Sequence, residues 1–586
     1  MTPRRVLALF LCLVALAPLV LSEFYVTLLN YIGLSALVAL GLVLLTGVGG
    51  LTSFGQAAFV GLGAYTSAYL ATVFALSPWL TLAAGMVVTA VVALLLGWMT
   101  LRLSGHYLPL GTIAWGISLY FLFGNLEFLG GHTGLGGIPV VSLLGFELKD
   151  GRDFYFLIWV VLLGAVWLTQ NLLDSREGRA IRALKGGVLM AEAMGVDTAR
   201  SKIVIFLIAA LFASVSGWLY VHLQRFVNPT PFGLHIGIEY LFMAVVGGAA
   251  SVWGAVVGAG VITVLKQWLQ DLLPQLFGAS GNFEVIVFGV LMVVVLQRAR
   301  EGLWPMLSQW MPVHSSRRQV PIADFLNKQC SFGGSELILE VRDVTKRFGG
   351  LMANNQMSLS VRAGEVMALI GPNGAGKSTM FNCISGVDGP TSGDVFFRGV
   401  SIVGLDARRI ARRGMSRTFQ HVRLLPAMTV IENVAIGAHL RGHRGITASM
   451  LHLERAEENS LLAEAARQVE RVGLKDFMFE AAGSLALGQQ RLLEVARALA
   501  SNPCLLLLDE PAAGLRYLEK QALAELLRRL RDDGMAILLV EHDMDFVMGL
   551  ADRVVVMEFG EKIAEGLPEE VQRNPAVLQA YLGGVA

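Results

Sequence analysis

The sequence predicts a multispanning α-helical membrane domain followed by an α/β domain. Of the 586 residues, 54% are hydrophobic and only 16% are charged, which is unusual for a water-soluble chain. No Asp, Glu, Lys or Arg occurs between Phe24 and Leu101, whereas one helix needs only about 20 apolar residues to cross a bilayer. Beyond residue 337, short apolar segments alternate with amphipathic ones, which is typical of an α/β domain.

The membrane domain is predicted to comprise residues 1–298 and about eight to ten spans. Residues 1–22 have a positive start and an apolar run, and we interpret them as a retained first helix rather than a cleaved signal peptide, because further spans follow at once. Gly and Pro residues at 47–50, 61–63 and 77–78 predict breaks between helices, or non-helical backbone buried at membrane depth. The glycine-rich stretch 247–250 is either a break inside one span or a turn between two. Other apolar runs lie at 107–126, 154–173, 203–223, 237–265 and 283–297.

Basic residues predict which loops face the cytoplasm. They precede the first apolar run, crowd the loop 173–202 and close the last run, and loops rich in Lys and Arg stay on the cytoplasmic side. The net charge of +1 gives no electrostatic reason to propose a nucleic-acid partner. Residues 299–336 change character, with Pro312, Pro321 and Arg317-Arg318, and are predicted to be a linker to a domain at 337–586.

A glycine-rich loop in the second domain predicts phosphate binding. The apolar strand Val366–Ile370 leads into a GxxxxGK[ST] motif, whose backbone N–H groups wrap phosphates because glycine allows close approach. Lys377 is expected to bridge the β- and γ-phosphates of ATP, and Ser378 to ligate Mg²⁺. The residues of the motif are Gly371, Pro372, Asn373, Gly374, Ala375, Gly376, Lys377, Ser378 and Thr379.

A second apolar strand carries the carboxylates that such a site needs. Leu505–Leu508 is followed directly by Asp509 and Glu510. Asp509 is expected to hold the Mg²⁺ shell, and Glu510 to polarise the attacking water. The sequence therefore predicts an α/β P-loop NTPase domain that hydrolyses ATP.

Downstream motifs resemble those of ABC-transporter ATPases. Leu485–Gln490, followed by a helical stretch, is similar to the family's signature motif, and the resemblance implies that Ala486, Gly488 and Gln489 contact the nucleotide of a partner subunit. It further implies roles for three single residues. Gln420 would contact Mg²⁺ and water, His542 would contact the γ-phosphate, and Phe348 would stack on adenine.

Finer motifs resemble the branched-chain amino-acid uptake family of ABC importers. In the ATPase half these are Thr418-Phe419-Gln420, 425–434, 509–515 and the terminal Asn574-Pro575 with 581–583. In the membrane half 50–59, 63–66, 178–183 and 191–196 are similar to the permease subunits of the same importers. The resemblance implies a permease subunit fused to the ATP-binding subunit, located in the bacterial inner (plasma) membrane with its ATPase domain in the cytoplasm.

The resemblance also implies partners and a mechanism. A second permease, a second ATPase and an extracytoplasmic solute-binding protein are expected, and ATP would close the ATPase dimer and drive import of branched-chain or related amino acids. Two departures stand out. Ala486 replaces the serine that is usual in the signature of ABC ATPases, although alanine is familiar in this importer subfamily. Arg516 stands where the importers have asparagine, and because a cation there would alter cross-subunit contacts near the nucleotide, we expect the two ATP sites of the dimer to be asymmetric.

Two further regions have predicted transport roles. The loop 173–202 is expected to be the coupling segment, presenting Glu192 to a groove near Gln420. Polar residues in apolar surroundings, Thr52, Ser53, Gln56 and Glu239, are candidates for the substrate path.

Two other protein classes remain as alternatives. A half-size ABC exporter would show six long helices with extended charged cytoplasmic stretches. An ATPase merely anchored to the membrane would need only one span. Urea and short amides remain alternative substrates of an importer.

Overall fold

The computed structural model divides into two compact units. The first unit comprises Met1–Leu173 and Ala199–Arg317, and the second comprises Asp174–Thr198 and Arg318–Ala586. The structure describes residues 3–101, 107–143, 145–277, 302–310 and 336–582, with the short stretches 289–290, 293–294, 297–298, 320–323 and residue 326. The predicted span at 283–297 and the predicted linker lie mostly outside these residues.

The first unit is helical, and six of its described helices are long and apolar enough to cross a membrane. Two shorter apolar stretches lie at Ala8–Val20 and Leu234–Gly248. Its helices are α1 (Pro3–Val20), α2 (Glu23–Leu42), α3 (Gln56–Val73), α4 (Pro78–Thr100), α5 (Tyr107–Asn125), α6 (Gly151–Leu173), and, after the two helices that belong to the second unit, α9 (Thr198–Gln224), α10 (Leu234–Gly248), α11 (Val252–Phe277) and α12 (Leu303–Gln309).

Short strands accompany these helices. Strand β1 (Leu135–Gly136) pairs with β4 (Phe226–Val227), and β2 (Ser142–Leu143) pairs with β3 (Phe146–Glu147). The stretch at 247–250 is a turn, because α10 ends at Gly248 and α11 begins at Val252.

The long charge-free run is interrupted at one of the predicted glycine clusters and continuous at another. Helix α2 passes into a π-helix at Val43–Val48, and residues 49–55 are not helical before α3 begins. Non-helical backbone at membrane depth needs burial in protein, and here the Phe54 N–H donates to Thr112 Oγ1 at 3.2 Å. The expected break at Gly61-Leu62-Gly63 is wrong. Both glycines lie inside α3, where a Cβ on Gly63 would stand 2.2 Å from the Ser214 carbonyl oxygen, so close helix packing explains the glycine.

The second unit contains a six-stranded and a four-stranded sheet. The strand orders are β10-β11-β12-β7-β13-β14 and β6-β5-β8-β9. The strands are β5 (Leu337–Phe348), β6 (Leu351–Arg362), β7 (Val366–Ile370), β8 (Ser392–Phe397), β9 (Val400–Ser401), β10 (Met415–Arg417), β11 (Leu505–Asp509), β12 (Ala536–Val540), β13 (Arg553–Glu558) and β14 (Glu561–Gly566).

Helices surround these sheets. They are α7 (Arg176–Lys185), α8 (Val188–Ala193), α13 (Lys377–Ile384), α14 (Ala407–Arg412), α15 (Val430–Gly437), α16 (Ile446–Met450), α17 (Arg455–Arg471), α18 (Leu487–Ala500), α19 (Tyr517–Asp532), α20 (Met544–Met548), α21 (Pro568–Gln572) and α22 (Pro575–Leu582).

Three neighbouring strands of the six-stranded sheet position the predicted site. Strands β7, β11 and β12 are buried along their whole length and run parallel, as expected for near-continuous apolar runs. Asp509 is in register with Val540, which in turn pairs with Leu369. The carboxyl ends of the three strands therefore meet at one edge of the sheet.

Candidate functional site

A cavity of about 480 Å³ at this edge brings together most of the residues predicted from the sequence. Phe348, Gln420 and Glu510 line it together with the glycine-rich loop. The loop contributes Asn373, Gly374, Ala375, Gly376, Lys377, Ser378 and Thr379. Residues separated by more than a hundred positions in the chain thus share one space.

The glycine-rich loop is held tightly against β6. Gly376 has φ +96° and precedes α13, and a Cβ on it would stand 2.2 Å from the Ala353 carbonyl oxygen. Its own carbonyl accepts a hydrogen bond from Asn354 Nδ2 at 3.1 Å. Only glycine fits there, and its conformation lets the first N–H groups of α13 face the cavity.

Lys377 is the cation of the cavity. Its Nζ donates to the carbonyl oxygens of Gly371 and Pro372, at 2.7 and 2.9 Å. Burial lowers the pKa of the ammonium, and the carboxylates of Glu510 and Asp509 oppose that shift. A phosphate in the cavity would supply a stronger acceptor than the two carbonyls.

Asp509 is buried, and one of its two carboxylate oxygens has a hydrogen-bond partner among the described residues. Its Oδ2 accepts from Arg417 Nη2 at 3.2 Å, and its backbone N–H donates to Thr418 Oγ1 at 3.2 Å. Burial raises the pKa of the carboxyl, whereas the Arg417 guanidinium lowers it. Within the described residues, Oδ1 has no hydrogen-bond partner. A buried carboxylate oxygen left free, with a serine hydroxyl and a glutamine amide in the adjoining cavity, fits a hard cation such as Mg²⁺.

Glu510 is half-buried and held in an uncommon conformation. It has φ +48°, in the left-handed region, and its N–H donates to the Val540 carbonyl at 2.9 Å. Such a conformation costs of the order of 1 kcal/mol for a residue with a side chain, and it persists where the surroundings impose it. Its Oε1 accepts from Gln420 Nε2 at 3.1 Å. The two predicted water-binding groups are therefore in direct contact.

An adjoining cavity of about 440 Å³ contains the remaining predicted catalytic residue. Gly371, Pro372 and His542 line it with Gln420 and Glu510. The buried carboxylate of Glu541 supports this region, because it accepts from the backbone N–H groups of Ala512 and His542 at 2.7 and 3.0 Å. Burial raises the pKa of Glu541, and these hydrogen bonds oppose the shift.

Tyr581 is a residue of this second cavity that the sequence did not predict. It comes from α22, near the described end of the chain, and lines the cavity together with Gly371. Burial raises the pKa of its hydroxyl to about 12, and a hydrogen bond with the Gly371 backbone opposes the rise. Glu541, Arg417 and the exposed Phe559 were also missed. A glutamate directly before His542 was a signal for the first, whereas the others show no local pattern.

The signature residues line neither cavity. Ala486 precedes α18 and is exposed, and Gln489 Oε1 accepts its N–H at 3.1 Å. Gly488 is buried, and a Cβ on it would stand 2.6 Å from Glu519 Oε2. Arg516 is exposed, and its N–H donates to Glu519 Oε2 at 2.8 Å. These residues form a separate surface at the N-termini of α18 and α19.

Residues 174–198, the inserted segment, belong to the second unit and contact it extensively. Its small and apolar residues pack against Phe419, Leu425, Met428 and Ile436, which with Glu458 we call the docking patch. Helix α7 begins after Ser175, whose Oγ accepts the Gly178 N–H at 3.3 Å. The packing residues of the segment are Ala180, Ala183, Met190, Ala191, Ala193, Met194 and Val196.

Ion pairs fix the inserted segment in place. Arg179 donates from both terminal nitrogens to the two carboxylate oxygens of Glu458, and both side chains are about 95% or more buried. Arg182 lies 3.8 Å from Glu432 in a more exposed pair. Glu192, expected to face the groove near Gln420, instead accepts from Thr198 Oγ1 at 2.6 Å within the segment. Phe419, directly before Gln420, makes the contact near that residue.

Three family models match the chain. A branched-chain amino acid transport system/permease component model matches residues 24–296, and an ABC transporter model matches residues 354–513. A model described as branched-chain amino acid ATP-binding cassette transporter matches residues 561–586. The two halves of the chain thus match different components of one kind of transport system.

The similar curated proteins cover the ATPase half. A "High-affinity branched-chain amino acid transport ATP-binding protein" of Salmonella typhimurium is 46% identical over 252 residues, which are 42% of this chain and 99% of that protein. Proteins of the same description from Escherichia coli K12 and Pseudomonas aeruginosa are each 44% identical over 252 residues, again 42% and 99%. A crystal structure of a nucleotide-free ATP-binding cassette is 32% identical, with a TM-score of 0.38 over 42% of this chain and 98% of that one.

Proposed function

The chain belongs to the family of ABC transporters for branched-chain amino acids, with a permease domain and an ATP-binding domain in one polypeptide, and we propose that it imports such amino acids into bacteria at the expense of ATP. One observation carries the proposal. Phe348, the glycine-rich loop, Gln420 and Glu510 line a single cavity in the unit that also contains the inserted segment.

The proposed hydrolysis follows from the positions of these side chains. Phe348 stacks on adenine, and Lys377 exchanges its two carbonyl acceptors for the β- and γ-phosphates. Ser378, Gln420 and Asp509 would hold Mg²⁺, which when bound neutralises charge on those phosphates. Glu510 orients and polarises the attacking water with Gln420, and His542 contacts the γ-phosphate from the second cavity.

The proposed assembly contains a second ATPase and a second permease, together with an extracytoplasmic solute-binding protein. Ala486, Gly488 and Gln489 line neither nucleotide cavity, which supports a role on a partner's nucleotide. The exposed Arg516 beside them would give the two sites of the dimer different electrostatics. Single-turnover hydrolysis in a trapped dimer should therefore show unequal rates, and equal rates at both sites would remove Arg516 from this role.

The inserted segment is the proposed coupling element, because the chain enters it directly from α6 and leaves it into α9. Its contact with Phe419 connects it to the residue beside Gln420. Reversing the charges of Arg179 and Arg182 should abolish substrate-stimulated hydrolysis while the protein still inserts into the membrane. Normal stimulation in that variant would refute the coupling role.

Uptake of labelled leucine tests the proposal as a whole. Cells carrying the chain and its neighbouring subunits should accumulate leucine, and the Glu510→Gln variant should not. Competition by valine and isoleucine supports the proposed substrate class, whereas displacement by urea or amides keeps the mechanism and changes the substrate. Enhanced ATP-dependent efflux would instead establish an exporter.

A further inference from the structure

A cavity of about 360 Å³ lies among five elements of the first unit. Its walls come from α2, α3, α9, α10 and α11, with the turn at 230–232. The volume falls within the roughly 300–1,000 Å³ typical of small-molecule sites. The sequence singled out Glu239 on this wall, but it did not predict the partner of Glu239.

That partner is Lys266. Its Nζ lies 2.9 Å from Glu239 Oε2 and 3.2 Å from Oε1, and both side chains line the cavity. Lys266 lies inside a helix long and apolar enough to span a membrane. Ionisable residues in such helices are rare, pair with one another and mark substrate pathways.

The rest of the wall divides into polar and apolar parts. Leu34, Val60, Phe232 and Met243 supply an apolar wall. The Phe232 ring packs edge-on against Tyr220 at 6.1 Å between centroids, which fixes its position. Ser216, also on the wall, already donates to the Leu34 carbonyl at 2.9 Å. Glu239 and Lys266 supply the charges of the wall, whose other polar side chains are neutral: Tyr31, Ser35, Tyr220, Tyr240, Thr263, Gln267 and Gln270.

We propose that this cavity binds a zwitterionic α-amino acid, whose carboxylate accepts from Lys266 and whose ammonium donates to Glu239, with its aliphatic side chain against Leu34 and Met243. The inference rests on the proposed transport of amino acids, and it adds the residues that select them. One ammonium has three N–H donors and one carboxylate has two acceptor oxygens, so the pair has capacity for a second pair of charges.

Charge balance favours a zwitterion over other ligands. The ion pair is neutral as a whole, so a zwitterion leaves the site neutral, with four charges alternating in sign. An anion or a cation would leave one uncompensated charge beside a helix that is apolar enough to span a membrane, where an unpaired charge is costly. A neutral amide such as urea would have to break the pair without replacing its charges.

Protection of an introduced cysteine tests binding without transport or hydrolysis. Thr263 lines the cavity one helical turn before Lys266. Thr263→Cys is placed in the full-length chain in membranes, with the four native cysteines (Cys12, Cys330, Cys383 and Cys504) replaced by alanine, and its alkylation by a maleimide is timed. We expect leucine to slow alkylation saturably by about fivefold or more, and 4-methylpentanoate, leucinamide and urea to be at least tenfold weaker.

Variants assign each charge to one group of the ligand. Glu239→Gln should reduce the preference for leucine over 4-methylpentanoate, which lacks the ammonium, while Lys266→Gln should reduce the preference over leucinamide, which lacks the carboxylate. A merely structural pair would weaken all ligands equally. The matched control is Glu147→Gln, which neutralises an exposed carboxylate paired with Lys149 at 2.8 Å and should leave the ligand preferences unchanged.

The outcomes separate this inference from the proposed function. Leucine uptake without protection of Thr263→Cys, or with protection equal for all four ligands, overturns the site and leaves import standing. Protection by leucine without ATP-dependent uptake supports the site and refutes import. If protection by all four ligands weakens equally in both Glu239→Gln and Lys266→Gln, the assignment of the two charges is also overturned.

Discussion

The nucleotide cavity and the docking patch belong to the same unit and meet at neighbouring residues, yet they are built differently. Gln420 lines the cavity, whereas Phe419 packs in the patch. Ser378 and Gln420 of the cavity are exposed, and Oδ1 of the buried Asp509 beside it lacks a partner among the described residues. At the patch, the buried side chains of Glu458 and Arg179 form an ion pair. The cavity therefore needs a ligand to pair its polar groups, whereas the two charges at the patch already neutralise each other.

One short segment connects the two regions. Arg417, at the end of β10, donates to Asp509 and lies with its guanidinium 5.4 Å from the Phe419 ring centroid. Phe419 in turn contacts the apolar residues of the inserted segment. One residue, Arg417, therefore lies between the Asp509 carboxylate and the patch residue Phe419, and variants on either side should have different readouts.

The largest effect is expected in the cavity. Glu510→Gln should reduce the ATP hydrolysis rate by about 10²–10⁴-fold, the usual range for a general base, and leave ATP binding intact. Hydrolysis and equilibrium binding of ATP should be measured on the same preparation. The control is Glu525→Gln, an exposed carboxylate on α19 that pairs with Arg529 one turn away; a loss there equal to that of Glu510→Gln would contradict the assignment.

The next effect is expected in the patch. Arg179→Met leaves the buried Glu458 carboxylate unpaired, which typically costs about 3–5 kcal/mol, so the docked segment should be lost together with substrate stimulation of hydrolysis. Basal hydrolysis should remain, because Arg179 is outside the cavity. Arg182→Met provides the matched control, since its longer and less buried 3.8 Å pair is expected to contribute about 1 kcal/mol or less. Equal effects of the two variants would show that burial does not distinguish the pairs.

Arg417 should show an effect on pH dependence. Arg417→Met removes the group that lowers the Asp509 pKa, so burial should raise that pKa further. If hydrolysis needs ionised Asp509, the acid limb of the rate profile should move to higher pH, and the maximal rate should fall by roughly tenfold or more, since hydrogen bonds to charged groups contribute about 1.5–3 kcal/mol. Rate profiles of the wild type and the variant should be compared. An unmoved acid limb would exclude Asp509 as the titrating group.

The smallest effect is expected at the edge of the cavity. Phe348 is 47% exposed, with the Lys346 ammonium 4.9 Å from its ring centroid. Phe348→Ala should weaken ATP binding by about two- to tenfold, the equivalent of one aromatic contact, without changing the maximal rate. Phe348→Tyr should retain affinity. A fall in the maximal rate rather than the affinity would place Phe348 outside the adenine contact.

Most residues that the sequence proposed for the nucleotide site line one cavity, because they form a contiguous motif or lie at strand ends. The loop 371–379 is one uninterrupted motif, and Asp509 follows an apolar strand whose neighbours could be inferred. The helix breaks of the first unit were harder to predict. Gly49-Gly50 and Gly61-Leu62-Gly63 look alike in sequence, but only the first interrupts a helix. Whether a glycine ends a helix or admits a neighbouring backbone depends on the packing partner.

Side-chain pairs between residues that are far apart in the chain could not be predicted from the sequence. Arg179 was predicted as a basic loop residue, but nothing identified Glu458, 279 residues away, among the acidic residues of the second half. In the same way Glu239 was noticed as an isolated charge, while Lys266 lay in a different helix. Tyr581 reaches Gly371 only because α22 returns to the sheet edge. Such contacts follow from the fold rather than from local patterns.

The second unit is built from two separate stretches of the chain, and this has a consequence for its synthesis. Arg179 is made 279 residues before Glu458, and ribosomes add about 5–20 residues per second. For roughly 14–56 seconds of synthesis, the Arg179 guanidinium and the apolar residues of helix α7 therefore have no docking patch to contact. During this interval the nascent chain exposes a basic helix with an apolar face. Holdase chaperones or anionic lipids have time to bind this helix before Glu458 and the docking patch are synthesised.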